Sequence, residues 1–119
     1  MKYIKTNGED LLFSSLDNIE DNNIFISTFN GWLEVDIKKI PSNKTIRFSS
    51  HEYPLNLDSI EEIEDNVTLI ISSDHFTMKN LSVVGDDSQI IFTGNSATIA
   101  QQVSWIINFN ENAKVETVN

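Results

Sequence analysis

The side chains best suited to acid-base or metal chemistry are few. His51 and His75 each stand beside a carboxylate, in His51-Glu52 and Asp74-His75. Neither pair has the i, i+4 or H-x-H spacing by which a helix or strand presents two imidazoles to one metal ion. Both histidines are therefore expected on the surface or at strand edges. Adjacent carboxylates occur in Glu61-Glu62 and Asp86-Asp87. A glycosidase pair needs an apolar cleft that raises one pKa. These pairs lie in acidic, turn-forming stretches and read as solvated charge. Asp86, Asp87 and Asn66 could ligate calcium, but the EF-hand loop spacing is absent. The chain has no cysteine, which removes disulfides, thiolate nucleophiles and thiolate zinc sites together. No nucleophile elbow, P-loop or dinucleotide glycine pattern is present. The expectation is no catalytic residue, no metal and no cofactor: a protein that is not an enzyme.

Charge and aromatic residues give a more definite reading. Eighteen acidic residues against eight basic ones leave a formal charge of −10 over 119 residues. Such a surface repels nucleic acid and anionic membranes, and it attracts a basic partner. The densest acid lies in Asp58-Ser59-Ile60-Glu61-Glu62-Ile63-Glu64-Asp65. A second cluster sets Phe29 and Trp32 beside Glu34 and Asp36. Aromatic residues anchor interfaces, and flanking charge steers and selects the partner. The expected partner-binding set is Phe29, Trp32, Glu34, Asp36, Asp58, Glu61, Glu62, Glu64 and Asp65. Trp105 is expected in the core.

The elements that must position these residues read as short strands. Ile24 to Phe29 and Trp32 to Ile37 flank Asn30-Gly31, the strongest two-residue hairpin signal in the chain. That pairing puts Ile24, Ile26, Leu33, Val35 and Ile37 on a core face, with Phe25, Phe29 and Trp32 opposite. Asn7-Gly8 suggests a second hairpin, between Tyr3 and Leu12. Thr45 to Ser49, Val67 to Ser72, Gln89 to Thr93 and Ser104 to Phe109 also read as strands, and Lys114 to Val118 as a weak final one. Asp58 to Asp65 suits a short helix, with Ile60 and Ile63 spaced i, i+3. Ser96 to Gln102 offers a second.

The motif Leu-Asp-x-Ile followed by Glu-Asp-Asn occurs twice, from Leu16 and from Leu57, and suggests a simple duplication. Two copies are too few for a solenoid, and a β-helix over residues 67 to 109 lacks a regular short period. The expected fold is mainly β: one domain over residues 1–119, an antiparallel β-sandwich or open barrel of short strands with one or two short helices.

In overall character, being small, acidic, free of cysteine and without a catalytic set, the chain resembles bacterial immunity proteins of the contact-dependent growth inhibition type. The resemblance covers the whole chain and carries no diagnostic motif. It implies a tight complex with a basic toxin, a nuclease domain, in the cytoplasm. The N-terminal residues show no apolar signal core, which agrees with that compartment. Two other readings use the same residues. A nucleic-acid mimic of the anti-CRISPR kind requires carboxylates in a regular track. A carbohydrate-binding or adhesin-like module requires Trp32, Phe29 and Tyr53 as exposed platforms.

Overall fold

The computed structural model describes residues 1–119. Every strand pairing in it is parallel, and the chain winds into a β-solenoid of six coils. Coil 1 holds β1 (Lys2–Asn7) and β2 (Leu11–Phe13). Coil 2 holds β3 (Asn23–Phe29), β4 (Leu33–Val35) and β5 (Lys39–Ile40). Coil 3 holds β6 (Thr45–His51), β7 (Leu55–Asn56) and β8 (Glu62–Ile63). Coil 4 holds β9 (Thr68–Ser73), β10 (His75–Met78) and β11 (Val83–Val84). Coil 5 holds β12 (Gln89–Thr93), β13 (Ser96–Ala100) and a 3-10 segment, Gln101–Ile106. Coil 6 holds β14 (Ile107–Phe109) and β15 (Lys114–Val118).

Stacking the coils makes three sheets. Sheet A runs β1-β3-β6-β9-β12-β14, sheet B runs β2-β4-β7-β10-β13-β15, and sheet C runs β5-β8-β11. This overturns the antiparallel sandwich or barrel. The residues that build the core are those whose alternation pointed inward, but each meets its counterpart one coil away. In sheet A, Ile24, Ile46, Leu69, Ile90 and Ile107 form one column, and Ile4, Ile26, Phe48, Ile71, Phe92 and Phe109 the next. In sheet B, Leu11, Leu33, Leu55, Phe76, Ala97 and Val115 stack in register. These columns face one another in a single core of 26 buried residues.

Once the coils are aligned, their period can be traced in the sequence. Ile24-x-Ile26-Ser27, Ile46-x-Phe48-Ser49, Leu69-x-Ile71-Ser72 and Ile90-x-Phe92-Thr93 recur at spacings of 22, 23 and 21 residues. That is the length of one turn of the solenoid, and it identifies the repeat unit. The duplicated Leu-Asp-x-Ile motif is not this repeat. Ile24 and Leu69 share a column, yet the Glu-Asp-Asn triplets before them are offset by one position. Both motif copies close a local turn, through Ile19 N–H to Leu16 C=O and Ile60 N–H to Leu57 C=O. The resemblance between them is one of turn chemistry.

Both expected hairpins are instead corners between sheets A and B. A hairpin would pair Phe29 with Trp32, whereas β3 pairs with β1 and β6, and β4 pairs with β2 and β7. Asn30 takes φ +63 and Gly8 φ +78, the left-handed geometry that Asn-Gly favours. A corner uses that geometry as readily as a hairpin does. Likewise, Tyr3 to Leu12 spans β1 and β2, which belong to different sheets.

The helix expected at Asp58 to Asp65 is absent. Its backbone N–H groups bond to the coil below: Glu61 and Glu62 donate to Lys38 C=O, and Glu64 to Ile40 C=O. Ile60 and Ile63 are both buried, one at a turn and one in β8, so their i, i+3 spacing arises without a helix. Ser96 to Ala100 is strand β13, paired on both sides. The one short helix is the 3-10 segment that follows it. Because residues 104 to 106 lie in that segment rather than in a strand, Val103 and Ile106 turn inward and Trp105 does not. Trp105 is 80% exposed, which corrects its expected core position.

The corner between sheets C and A is held by side-chain amides. Asn43, Asn66 and Asp87 all have left-handed backbones, and Asn66 Nδ2 donates to Asn43 Oδ1 at 3.0 Å. In coil 2 the inward corner position is Lys44, whose ammonium is buried and donates to the C=O groups of Ile19 and Asp21 at 3.4 and 2.7 Å. Coil 1 lacks a sheet C strand, and Lys44 satisfies carbonyls that its wider turn leaves free. No helix is long and apolar enough to cross a membrane.

Candidate functional site: an aromatic corner and groove

The corner between sheets A and B is built the same way in three successive coils. Thr6, Thr28 and Ser50 each donate a hydroxyl hydrogen to the C=O three residues on, in Glu9, Gly31 and Tyr53, at 2.8, 2.6 and 2.6 Å. Each bond closes a turn around a left-handed residue, Gly8, Asn30 or His51. Thr28 and Ser50 are fully buried. The hydroxyl ties the corner from inside and leaves the neighbouring positions to point outward. In coil 4 the corner shrinks to Asp74 alone between β9 and β10, and the buried Ser73 Oγ has no partner.

The outward positions of this corner carry the exposed aromatic residues. Phe29 is 52% exposed, Trp32 41% and Tyr53 39%. Phe29 packs edge-on against the His51 ring, with centroids 5.3 Å apart. Phe29, Asn30, His51, Glu52 and Tyr53 line a depression of about 380 Å³. Pro54, next in the chain after Tyr53, accepts the Leu33 N–H at 3.2 Å and so fixes coil 3 against Trp32.

Beyond the corner, a groove of about 310 Å³ opens on the outer face of sheet B. Trp32, Glu34, Pro54, Asn56, His75 and Thr77 face into it, over the backbone of Leu33 and Leu55. Two outward columns make its walls. One continues Asp10, Trp32, Pro54, His75 and Ser96, and the other Leu12, Glu34, Asn56, Thr77 and Thr98. His75 Nδ1 and Ser96 Oγ share a hydrogen bond of 2.7 Å. The Trp32 N–H donates to Asp10 Oδ1 at 3.0 Å, which holds the indole's backbone to coil 1.

The electrostatics of this region are one-sided. Glu9, Asp10, Glu34 and Glu52 surround the aromatic residues, and no lysine or arginine lies within 4.0 Å of their carboxylates. None lines the depression or the groove.

The structure divides the nine residues expected at the interface. Phe29, Trp32 and Glu34 come together here. Phe25 does not join them, because it lies on the outer face of sheet A, stacked on Tyr3 at 5.8 Å and beneath the Arg47 guanidinium at 5.4 Å. Asp36 lies past the end of β4 and lines a separate polar cleft with Asp17, Lys38, Lys39 and Glu64.

The five acids from Asp58 to Asp65 lie on and around sheet C, and four of them brace neighbouring coils. Asp58 accepts the Lys79 N–H at 3.0 Å and pairs with its ammonium at 3.6 Å. Glu62 and Glu64 pair with Lys39 at 3.7 and 3.4 Å. Glu64 also accepts the Ser42 N–H, and Asp65 the Asp86 N–H at 2.8 Å. Only the Glu61 carboxylate makes no such bond. The Lys39 ammonium is held above its ordinary pKa, first by its hydrogen bond to Glu64 and then by the charge of Glu62.

Tyr53, His51, Pro54, Asn56, His75 and Thr77 join the site from coils 3 and 4. The repeated Thr6, Thr28, Ser50 corner, at 22-residue spacing, is the sequence signal that aligns them.

Fold and site together define a parallel β-solenoid with an aromatic, acid-rimmed corner. No protein-family model, curated protein or solved structure matches the chain.

Proposed function

We propose that this chain is an acidic docking protein that engages a basic protein partner through the corner of Phe29, Trp32 and Tyr53 and the adjoining groove. The immunity-type inhibitor of a basic toxin domain is the form of that function the composition suggests. The observation that carries the reading is the pairing of exposed aromatic rings with carboxylates that have no cation of their own. An arginine or lysine from a partner would meet Trp32 by cation–π contact and Glu34, Glu52 or Asp10 by charge. Such a contact gains both desolvated aromatic area and a neutralised charge, the combination typical of interface anchors. The net charge of −10 adds long-range attraction and speeds encounter.

The same groove supports a second reading. Trp32 beside Asn56, Thr77, His75 and Glu34 offers one stacking ring and several hydrogen-bonding groups, the chemistry that holds a sugar ring. The nucleic-acid mimic has less support. The corner between sheets C and A reads Asp21, Asn43, Asn66, Asp87 from coil to coil, so its carboxylates do not form a continuous track.

Affinity capture from the source cell, with wild type, Trp32→Ala and Glu34→Lys as parallel baits, tests the proposal. A basic protein retained by wild type, released by salt and lost from both variants is the expected result. Trp32→Ala should cost about 2 kcal/mol of binding, roughly thirtyfold. Equal retention by all three baits would place the interface elsewhere. Retention on wild type that a soluble oligosaccharide competes away, with no basic protein bound, would favour the sugar reading.

A further inference from the structure

Both ends of the solenoid leave strand edges unpaired, and the two ends match each other. We propose that copies of this chain associate head to tail, coil 6 of one copy stacking on coil 1 of the next.

The first argument is hydrogen-bond parity. Along a parallel strand, successive residues direct their backbone groups to opposite neighbours. Lys114 donates its N–H down the stack to Asn95 C=O at 2.8 Å. Val115 and Thr117 therefore turn theirs out of the top. At the bottom, Gly8 donates up to Phe29 C=O, so by the same alternation Tyr3 and Lys5 turn theirs outward. A second copy placed above coil 6 in the same orientation presents its free groups in the order a seventh coil would. Head-to-head stacking would reverse the strands and break that order.

The second argument is side-chain register. Continuing each column across the junction sets Ile4 of the upper copy over Phe109 of the lower, and Leu11 over Val115. Ile4, Leu11 and Phe109 are only partly buried, because each ends a core column without a layer beyond it. The outward column Asp10, Trp32, Pro54, His75, Ser96 and Lys114 sets Asp10 over Lys114, an opposite-charge pair between adjacent strands. Two of the three inward columns meet apolar end to apolar end, the third sets Lys2 over Ile107, and the one match between two charged residues at the junction is attractive. The contact is heterologous, so it adds copies end to end rather than closing a dimer. It leaves the aromatic corner of coils 2 and 3 uncovered and does not depend on the function proposed for it.

Sedimentation of the intact chain across concentration tests this. Wild type should grow through whole multiples of 13.5 kDa. Val115→Pro blocks the top edge, and Lys5→Pro the bottom edge, without removing a bond inside the stack. Each variant alone should stay a monomer, while their equimolar mixture forms a one-to-one pair and nothing longer. If either proline disturbs folding by circular dichroism, charge provides the second route. Lys114→Glu should weaken association about fivefold, and adding Asp10→Lys to that chain should restore it. A wild type that stays monomeric to about 1 mM, or a Val115→Pro chain that still polymerises, overturns the proposal. So does a mixture that forms closed dimers of one variant alone, since that contact would be isologous.

Discussion

The Thr28 hydroxyl donates to the Gly31 carbonyl at 2.6 Å, from a position with no solvent exposure. That single bond turns the chain from sheet A to sheet B and presents Phe29 and Trp32 on either side of the turn. Thr28→Val keeps the shape and removes the donor. The Gly31 carbonyl then loses its partner at a cost of about 1–2 kcal/mol. Urea denaturation should show that loss. Binding through Trp32 should weaken as well, because the turn that presents the indole is then held only by the Trp32 N–H bond to Asp10 Oδ1.

Gly31 itself has a packing reason to be glycine. A Cβ there would run into the backbone of Glu9 and Asp10, in the coil below. Coils in a parallel stack are held at the strand spacing of about 4.8 Å, so the backbone has little room to yield. Gly31→Ala should lower stability by about 2 kcal/mol, more than Gly8→Ala, where a Cβ meets open space and the cost comes from φ alone. Thermal melts of the two variants, run side by side, distinguish packing from conformational strain.

Lys39 gives a pH dependence with a definite sign. Its pKa in the folded chain is raised by Glu64 and Glu62, so the folded state holds this proton more tightly than the unfolded chain. The linked stabilisation is fully present below the ordinary lysine range and is lost as pH climbs through the raised value. Because the ammonium is solvent-exposed, the effect on stability is small. NMR titration of the Lys39 side chain should show it deprotonating at higher pH than a free lysine. Glu64→Gln should return it toward the ordinary value, since the Glu64 hydrogen bond is the largest cause.

The same acids illustrate where reading by composition misleads. Asp58 to Asp65 is the densest acidic run, and a run of charge suggests a patch. In the solenoid those carboxylates meet Lys39, Lys79 and the backbone N–H groups of Ser42, Lys79 and Asp86, between 21 and 25 residues away in sequence but only one coil apart in space. Their neutralisation depends on residues that linear inspection does not pair with them. Glu34 has a lower local charge density and keeps its carboxylate free of any cation.

The sequence by itself determined most of the residues that turn inward, Trp105 excepted. Ile24, Ile26, Leu33, Val35, Ile46 and Phe48 alternate as core residues, and all are buried. It also determined that the chain bends at Asn7-Gly8 and Asn30-Gly31, because positive φ and turn chemistry are local properties. What only the tertiary structure decided is the partner of each strand. Alternation reports the buried side of a strand and carries no information about its neighbour, and an Asn-Gly corner is locally indistinguishable from an Asn-Gly hairpin. The neighbour here lies about 22 residues away, in the next coil. That long-range pairing separates Phe25 from Trp32, turns Trp105 outward, and brings His51, Tyr53 and His75 to the corner where Phe29 and Trp32 are displayed.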